Sequence, residues 1–226
     1  MHVTAPPGSI LNSVAPAPGG ARALIGHFLP AMVVQALAKV VPEKVIASVG
    51  SPLWCVNMAG VRADGKGFAN LFFLNGGYGA SAQSDGIDVL SWPSNISSTP
   101  VEVIEQVAPL KVVRRQYRDC DVANGAYRGG LGQELVLESL SENPATISFM
   151  AERTRPESAA PGMNGGAAGA PGEILIDGVK VNPKAQHIIN QGTQVVLRTP
   201  GGGGYGDPAR RSSELQNQDR ARGYTK

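Results

Sequence analysis

The sequence has few charged and few aromatic residues, and these shortages exclude several classes of protein. Charged residues make up 17% of the chain and aromatic residues 5%, while hydrophobic residues reach 42%. Such a composition is typical of a globular chain with a large buried surface and excludes a disordered one. Because 20 basic and 18 acidic residues leave a formal charge of only +2, we expect no nucleic-acid partner.

Cysteine and histidine are also scarce. Cys55 and Cys120 form neither a CxxC pair nor a metal-binding pair, and we interpret them as reduced thiols of a cytoplasmic protein. His2, His27 and His187 are far apart, and no HxxxH or HxE spacing occurs. The sequence therefore predicts no metal site among the residues of this chain.

Long uninterrupted apolar runs are missing too. Residues 21–41 show apolar side chains at the 3.6-residue period of a packed helix, which Pro30 is expected to kink or split. Polar residues interrupt this segment, so we expect no membrane span; they are Arg22, His27, Gln35 and Lys39. The proline-rich residues 1–18 lack the pattern of a signal peptide.

Glycine, by contrast, is abundant, with 29 residues among 226 against an average share of about 7%. Short apolar segments bounded by turn residues alternate with glycine-rich ones, and each apolar segment is expected to be a strand. These segments are residues 44–49, 56–60, 68–74, 111–117, 135–140, 145–151, 173–176, 179–181 and 194–198. The sequence predicts an α+β, β-rich fold with mixed or antiparallel sheets, few helices and long glycine-rich loops.

Turn and cap residues predict how these segments connect. The strands on either side of Asp64-Gly65 and of Asp177-Gly178 are expected to form hairpins. Residues 135–140 and 145–151 are expected to form a third antiparallel pair. Thr99 is expected to cap a helix that begins at the following proline.

Residues 68–95 combine features that are typical of a functional loop. A strand leads into the string NGGYG, whose glycines let the backbone pass close to another backbone or a ligand, and Asp85-Gly86 and Asn95 follow. One interpretation is a scaffold that presents Asp85 and Asn95 at its rim. The other interpretation is structural, with a bulged hairpin followed by an ordinary turn.

Three further residues are candidates for a site. Glu102 and Glu105 are three apart at the start of a helix, where they either share a proton or a metal or simply complement the helix dipole. Arg128 either reaches a carboxylate or phosphate with its planar guanidinium or caps backbone carbonyls.

The basic residues within 114–118 are either a contact for an acidic partner or a solvated face. The glycines at 201–204 offer amides to an anion, but no Lys-Ser/Thr follows, so a P-loop is not predicted.

Five strings of the sequence resemble, in the same order, the hydantoinase B/oxoprolinase family. They are PPGSILN, NGGYGASAQSDG, YRGGLGQE, RPESAAPGMNGG and TPGGGGYGDPARR, and the last is the most specific. The family includes N-methylhydantoinases, 5-oxoprolinases and caprolactamase and, more distantly, acetone and acetophenone carboxylases. The resemblance implies part of the B-type subunit of an ATP-dependent cyclic-amide hydrolase, with a ketone carboxylase component or a non-catalytic assembly module as alternatives.

The resemblance also implies cofactors and partners. An A-type subunit is expected to bind ATP and Mg²⁺ and to phosphorylate the amide or ketone oxygen, while the B-type subunit shapes the site where the cyclic amide is opened. Residues 1–208 are expected to be the C-terminal portion of a B-type subunit, followed by a polar tail at 209–226 in which Ser212 or Ser213 caps a helix. The N-terminal half, with the family's proposed metal-binding His and Asp residues, is then a further partner.

Five residues of this chain are expected to position the reacting groups in such a site. They are Asp85, Asn95, Glu102, Glu105 and Arg128.

Overall fold

The computed structural model describes residues 4–20, 22–50, 53–119 and 122–224. Within these ranges the chain forms three α-helices and nine strands. In chain order they are α1 (Arg22–Leu37), β1 (Trp54–Val61), β2 (Gly67–Leu74), α2 (Val101–Val107), β3 (Leu110–Tyr117), β4 (Gln133–Ser139), β5 (Ala145–Met150), β6 (Glu173–Ile176), β7 (Val179–Lys180), β8 (Gln186–Ile189), β9 (Gln194–Arg198) and α3 (Ser213–Arg222). His2 and Cys120 lie outside the described residues.

In the described part of the chain the strands form two sheets. The four-stranded sheet has the order β2-β1-β5-β8, and the five-stranded sheet has the order β3-β4-β9-β6-β7. Neighbouring strands in both sheets are antiparallel. The prediction of a β-rich α+β fold is therefore confirmed.

The two sheets share one apolar core. Trp54 and Ile147 enter it from the four-stranded sheet, Leu135 and Leu197 from the five-stranded sheet, and Ile104 from α2, each at most 1% exposed. Burial in β5 alternates from residue to residue, because successive side chains of a strand point to opposite faces. In β5 the apolar residues thus form the inner face of the sheet.

The predicted hairpins are correct in two cases and wrong in the third. β1 pairs with β2 around Asp64-Gly65, and β6 pairs with β7 around Asp177-Gly178. Residues 135–140 and 145–151 do not pair, since β4 and β5 belong to different sheets. Each of these two strands buries its apolar residues in the core between the sheets, and no local turn signal determines which sheet a strand joins. β8 was not predicted.

Two local predictions also differ from the structure. Residues 44–49 form no strand; a 3₁₀ turn at Pro42–Lys44 is followed by a single β-bridge from Ile46 to Ser81. The N-cap of α2 is Pro100 rather than the preceding threonine. Pro30 lies inside α1 and does not split it, since Arg22–Leu37 is one helix.

Five extended segments outside the strands pack side by side, and we call them the glycine bundle. They are residues 46–50, 75–80, 122–132, 160–170 and 199–206. The N–H of Gly202 donates to the carbonyl of Gly130, and the N–H of Tyr205 donates to the carbonyl of Tyr127, both at 2.9 Å. Between these two hydrogen bonds the segments 199–206 and 122–132 each advance by three residues. Three residues per turn is the repeat of polyproline II, which makes no internal hydrogen bonds and so offers its backbone groups to neighbours.

Residues 199–206 lie at the centre of the glycine bundle. The N–H groups of the four glycines at 201–204 donate in turn to the carbonyls of Ala170, Gly130, Ser48 and Ala167. These four donors thus reach three neighbouring segments, whereas a strand inside a pleated sheet has only two neighbours. Close contact explains the glycines, because a Cβ on Gly77 or Gly203 would lie 1.9 or 2.2 Å from a carbonyl oxygen.

Candidate functional site

The loop after the central glycine string leads Asp85 to the second glycine-rich segment. Ser81 Oγ accepts a hydrogen bond from the N–H of Ser84 at 3.0 Å, which closes a turn just before Asp85. The N–H of Gly86 then donates to the carbonyl of Arg128 at 2.7 Å. The Asp85 carboxylate accepts from the N–H of Arg128 at 2.8 Å. The structure therefore brings together two of the predicted site residues, Asp85 and Arg128.

Arg211, just before α3, binds two carboxylates at once. Its guanidinium donates two hydrogen bonds to Asp85, at 2.8 and 2.9 Å, and two to Asp219, at 2.7 and 2.9 Å. A fifth hydrogen bond of 3.2 Å goes to the carbonyl of Ala126. The bonds to Asp85, opposed by burial and reinforced by Asp219, raise the pKa of Arg211. The side chain is therefore a permanent cation.

Arg128 is the second arginine at this place, and only 6% of its side chain is exposed. Its Nε lies 3.3 Å from an oxygen of Asp219, and its Nη1 lies 3.3 Å from Asp88. The guanidinium lies 3.5 Å from the ring centroid of Tyr224, whose hydroxyl donates to Asp88. Burial and the bond to Asp88 raise the pKa of Tyr224, so the hydroxyl keeps its proton.

These residues form a group that we call the ionic cluster: Asp85, Asp88, Arg128, Arg211, Asp219 and Tyr224. Burial alone would raise the pKa of Asp85, but the hydrogen bonds and charges of Arg211 and Arg128 outweigh burial and lower that pKa. Asp85 is consequently ionised at neutral pH, which suits an electrostatic role and disfavours a role as general acid.

The other three predicted site residues lie elsewhere. Glu102 and Glu105 are exposed on α2, and Glu105 accepts a hydrogen bond of 2.7 Å from the N–H of Val112, beside a β-bulge in β3. Asn95 is exposed in a turn, with a φ of 51°. Among the described residues, no hydrogen bond or ion pair joins these three side chains to the ionic cluster. Their catalytic roles stay predictions.

The basic residues within 114–118 are bound inside the chain. Arg114 pairs with Glu134 of β4 at 2.7 Å, and Arg115 donates to the carbonyl of Thr99 at 2.7 Å. Arg118 donates to two backbone carbonyls, one of them in the glycine bundle. β3 is largely exposed and 53% of the Arg114 side chain is exposed, which fits the solvated-face interpretation, and these arginines also bind groups of their own chain.

Sequence reasoning missed four members of the ionic cluster: Asp88, Arg211, Asp219 and Tyr224. The string GDPARR contains Arg211, but nothing in it indicates a carboxylate partner. The partner Asp85 is 126 positions away in the chain, and only the fold brings the two together.

The glycines at 201–204 are not an anion site, because their N–H groups already donate to backbone carbonyls. Among the described residues there is no group of three or more His, Cys, Asp or Glu side chains that could hold a metal ion. Cys55 is a buried free thiol, and burial raises its pKa. Within the described ranges, no helix of the protein has the length and apolar character needed to cross a membrane.

Comparison with known proteins adds the family. Residues 1–208 match the family model for hydantoinase B/oxoprolinase. A protein of Pseudomonas sp. (strain NS671), described as the B component of a D-/L-hydantoinase, is 31% identical over 232 residues, which cover 99% of this chain and 38% of the relative. The chain thus spans less than half the length of that relative.

Two solved structures have a similar fold. ATP-dependent caprolactamase from Pseudomonas jessenii matches with a TM-score of 0.75 at 23% identity, over 99% of this chain and 41% of that chain. Nucleotide-free acetone carboxylase matches with a TM-score of 0.59 at 19% identity, over 83% of this chain and 30% of that chain. With the family model matched over residues 1–208, the chain belongs to the hydantoinase B/oxoprolinase family.

Proposed function

We propose that this chain is part of the B-type subunit of an ATP-dependent cyclic-amide hydrolase and shapes the site where the activated ring is opened. The observation that carries the proposal is the family match over residues 1–208. The relative described as the B component of a hydantoinase and the fold shared with ATP-dependent caprolactamase support it. Because the chain aligns with only 38% of that relative, the proposed activity requires further polypeptide.

The chemistry explains why such an enzyme uses ATP. An amide carbonyl resists attack by water, and phosphorylation of its oxygen creates a good leaving group. The subunit that holds the ring must then position water or another nucleophile and stabilise the charge that develops. In this proposal an A-type partner binds ATP and Mg²⁺. We assign no contact with ATP to the arginines of the ionic cluster or to the glycine N–H groups at 201–204, because these groups already make hydrogen bonds within this chain.

The glycine bundle suits the role of a rigid support. Its segments are joined by backbone hydrogen bonds, and the loop that carries Asp85 is tied to the segment that carries Arg128. A site needs its groups held on rigid elements with supporting hydrogen bonds. Within the proposal, the ionic cluster supplies that support, and the exposed Asn95 and Glu102 remain available to position the reacting groups.

The four-stranded sheet offers a surface for a partner polypeptide. β1, β2, β5 and β8 contain no Asp, Glu, Lys or Arg, although exposed edge strands usually carry charges that block unwanted pairing. Leu24 of α1 packs over one end of the outer face, near Cys55. The other end is a shallow uncharged groove beside Leu71, which is 48% exposed, and Ile188 on β8 is 64% exposed.

The outer side of α1 is apolar as well. Leu29, Met32, Val33 and Leu37 are between 39% and 61% exposed. Helices that are hydrophobic on all sides are normally buried. We assign these two surfaces to contact with the remaining part of a B-type subunit.

A ketone carboxylase component is the second candidate function. The fold shared with acetone carboxylase, at a TM-score of 0.59, favours it. The two candidates use the same activation, phosphorylation of a carbonyl oxygen, and differ in the step that follows.

The test is reconstitution of the complex. The chain is combined with the remaining part of a B-type subunit and an A-type subunit, and ring opening of hydantoin, 5-oxoproline and caprolactam is measured with and without ATP. We expect ATP-dependent ring opening that disappears when the chain is omitted. Bicarbonate-dependent ATP turnover with a ketone would favour the second candidate, and a complex that forms but is inactive with both substrate classes would contradict both.

A further inference from the structure

The segment after residue 208 lies beyond the part that matches the family model, yet it contributes half of the ionic cluster. Arg211 precedes α3, Asp219 lies within it, and Tyr224 follows it. Asp219 is 5% exposed, although α3 is otherwise polar and solvent-facing. Ser212 caps α3, as its hydroxyl accepts from the N–H of Leu215 at 3.3 Å. A freely solvated tail would not bury an aspartate, because an unpaired buried carboxylate is costly.

Every N–H donor of the Arg211 guanidinium has a hydrogen-bond acceptor around it. A guanidinium has five N–H donors in a fixed plane, and Arg211 makes five hydrogen bonds. Two go to Asp85, two to Asp219 and one to the carbonyl of Ala126, all between 2.7 and 3.2 Å. Paired N–H···O bonds to a carboxylate are specific to arginine, since a lysine ammonium is a single point charge.

Arg211 also connects parts of the chain that are distant in sequence. Asp85 belongs to the loop after the central glycine string, and Ala126 belongs to the second glycine-rich segment. Asp219 in turn lies 3.3 Å from Arg128. Without Arg211, Asp85 and Asp219 would share Arg128, whose Nε lies 3.8 Å from Asp85.

We propose that residues 209–224 act as a strap, a segment that holds two distant parts of the chain together. Asp85, Asp219 and the Ala126 carbonyl form a guanidinium-binding socket, and the side chain of Arg211 occupies it. The strap belongs to the same folded body as residues 1–208 and fixes the loop at 81–88 against the segment at 126–131. Tyr224 closes the strap over Arg128 and Asp88. This inference does not depend on the proposed enzymatic function.

The experiment is chemical rescue of the Arg211→Ala variant of the full chain. We expect its Tm to fall by about 6–12 °C, because the buried Asp219 and the partly buried Asp85 lose their partner. Methylguanidinium chloride at about 20 mM should restore part of that loss by occupying the socket with paired hydrogen bonds, whereas methylammonium chloride at equal concentration should restore much less. The matched control is Arg210→Ala, which removes an exposed neighbouring arginine and should change neither the Tm nor the response to methylguanidinium.

A second variant covers the case in which Arg211→Ala does not fold. Arg211→Lys keeps the positive charge but loses the planar guanidinium with its paired N–H donors, so its Tm should lie clearly below that of the native chain. Folding of Arg211→Ala only when methylguanidinium is present would also support the proposal. A native Tm for Arg211→Lys, or equal rescue of Arg211→Ala by the two cations, would overturn it.

Discussion

At the scale of single residues, Glu134 shows how one carboxylate can tie a sheet together. It lies in β4 with 7% of its side chain exposed, and it binds Arg114 of β3 and Arg198 of β9 at 2.7 Å each. Arg198 continues to Glu173 of β6 at 2.8 Å. Burial would raise the pKa of Glu134, but the bonds to Arg198 and Arg114 outweigh it and lower that pKa. A line of charges thus crosses four strands of the five-stranded sheet.

Replacing Glu134 by Gln should destabilise the protein. Two arginines lose their charged partner, but both are partly exposed, at 53% and 35%. We therefore expect a loss of about 1–2 kcal/mol in the free energy of unfolding rather than the larger cost of a fully buried pair. Urea denaturation measures it, and Glu138→Gln on the same strand is the control with an expected change below about 0.5 kcal/mol. Equal losses in the two variants would contradict this interpretation.

The stability of the protein should depend on Asp85 in acid. Its folded-state pKa is lowered by Arg211 and Arg128 against the opposing effect of burial. A lowered pKa adds stability above the unfolded-state value of about 3.9, and that stability is lost as the pH falls through the folded-state value. The Tm difference between the native chain and Asp85→Asn should hence be constant near neutral pH and shrink below about pH 4. Thermal melts between pH 7 and pH 3 test this, with exposed Asp64→Asn as the control; a difference that does not shrink would refute it.

Asn95 and Glu102 allow the catalytic predictions to be tested without unfolding the protein. Both side chains are exposed, and glycine suits the φ of 51° at Asn95, so Asn95→Gly and Glu102→Gln should leave the Tm nearly unchanged. If they act in proton transfer or positioning, kcat of the reconstituted complex should fall by about 10²-fold. Exposed Glu157→Gln, in another loop, is the control. Unchanged kcat in both variants would favour the assembly-module alternative.

At the scale of elements, the glycine bundle depends on residues without a side chain. The prediction of glycine-rich segments came directly from composition, but their polyproline-II-like packing did not. Hydrogen bonds in a bundle join segments that are far apart in the sequence, as from Gly203 to Ser48. No periodicity of apolar residues marks such a segment, because its core is made of backbone.

Gly203→Ala should therefore be severely destabilising. The new Cβ would lie 2.2 Å from the carbonyl oxygen of Pro161, and a backbone segment cannot move aside as a flexible side chain can. We expect a loss of at least about 3 kcal/mol, or failure to fold. Gly26→Ala is the matched control, since nothing lies within 4 Å of that position in α1 and alanine favours a helix by about 0.5–1 kcal/mol. A Gly203→Ala protein with the native Tm would show that the bundle is not tightly packed.

At the scale of the whole molecule, the two sheets present opposite kinds of outer surface. The five-stranded sheet carries the ion pairs of Glu134, whereas the four-stranded sheet has no charged residue in its strands. This difference is the basis of our proposal that a partner packs on the four-stranded sheet.

Lysine substitutions on that side should block assembly without harming the fold. Leu71→Lys and Ile188→Lys replace side chains that are 48% and 64% exposed, so the change in stability should stay within about 0.5 kcal/mol. Sedimentation velocity should show loss of complex with the remaining part of a B-type subunit. Val179→Lys, 66% exposed in the other sheet, is the control and should assemble normally. Assembly by all three variants would place the interface elsewhere.

Part of this protein is determined by its sequence alone. Short apolar segments bounded by turn residues predicted β1, β2, β3 and β9, and turn chemistry predicted two hairpins, because both depend on neighbours along the chain. The candidate residues Asp85 and Arg128 were also identified by their place beside glycines.

Only the tertiary structure decided the rest. It placed β4 and β5 in different sheets, and it joined Asp85 to Arg211 across 126 positions. Sheet membership follows from burial against the opposite sheet, and an ion pair of this kind follows from where two distant segments meet. Neither the sheet that a strand joins nor such an ion pair is encoded in a local sequence pattern, since both are set by packing of the complete chain.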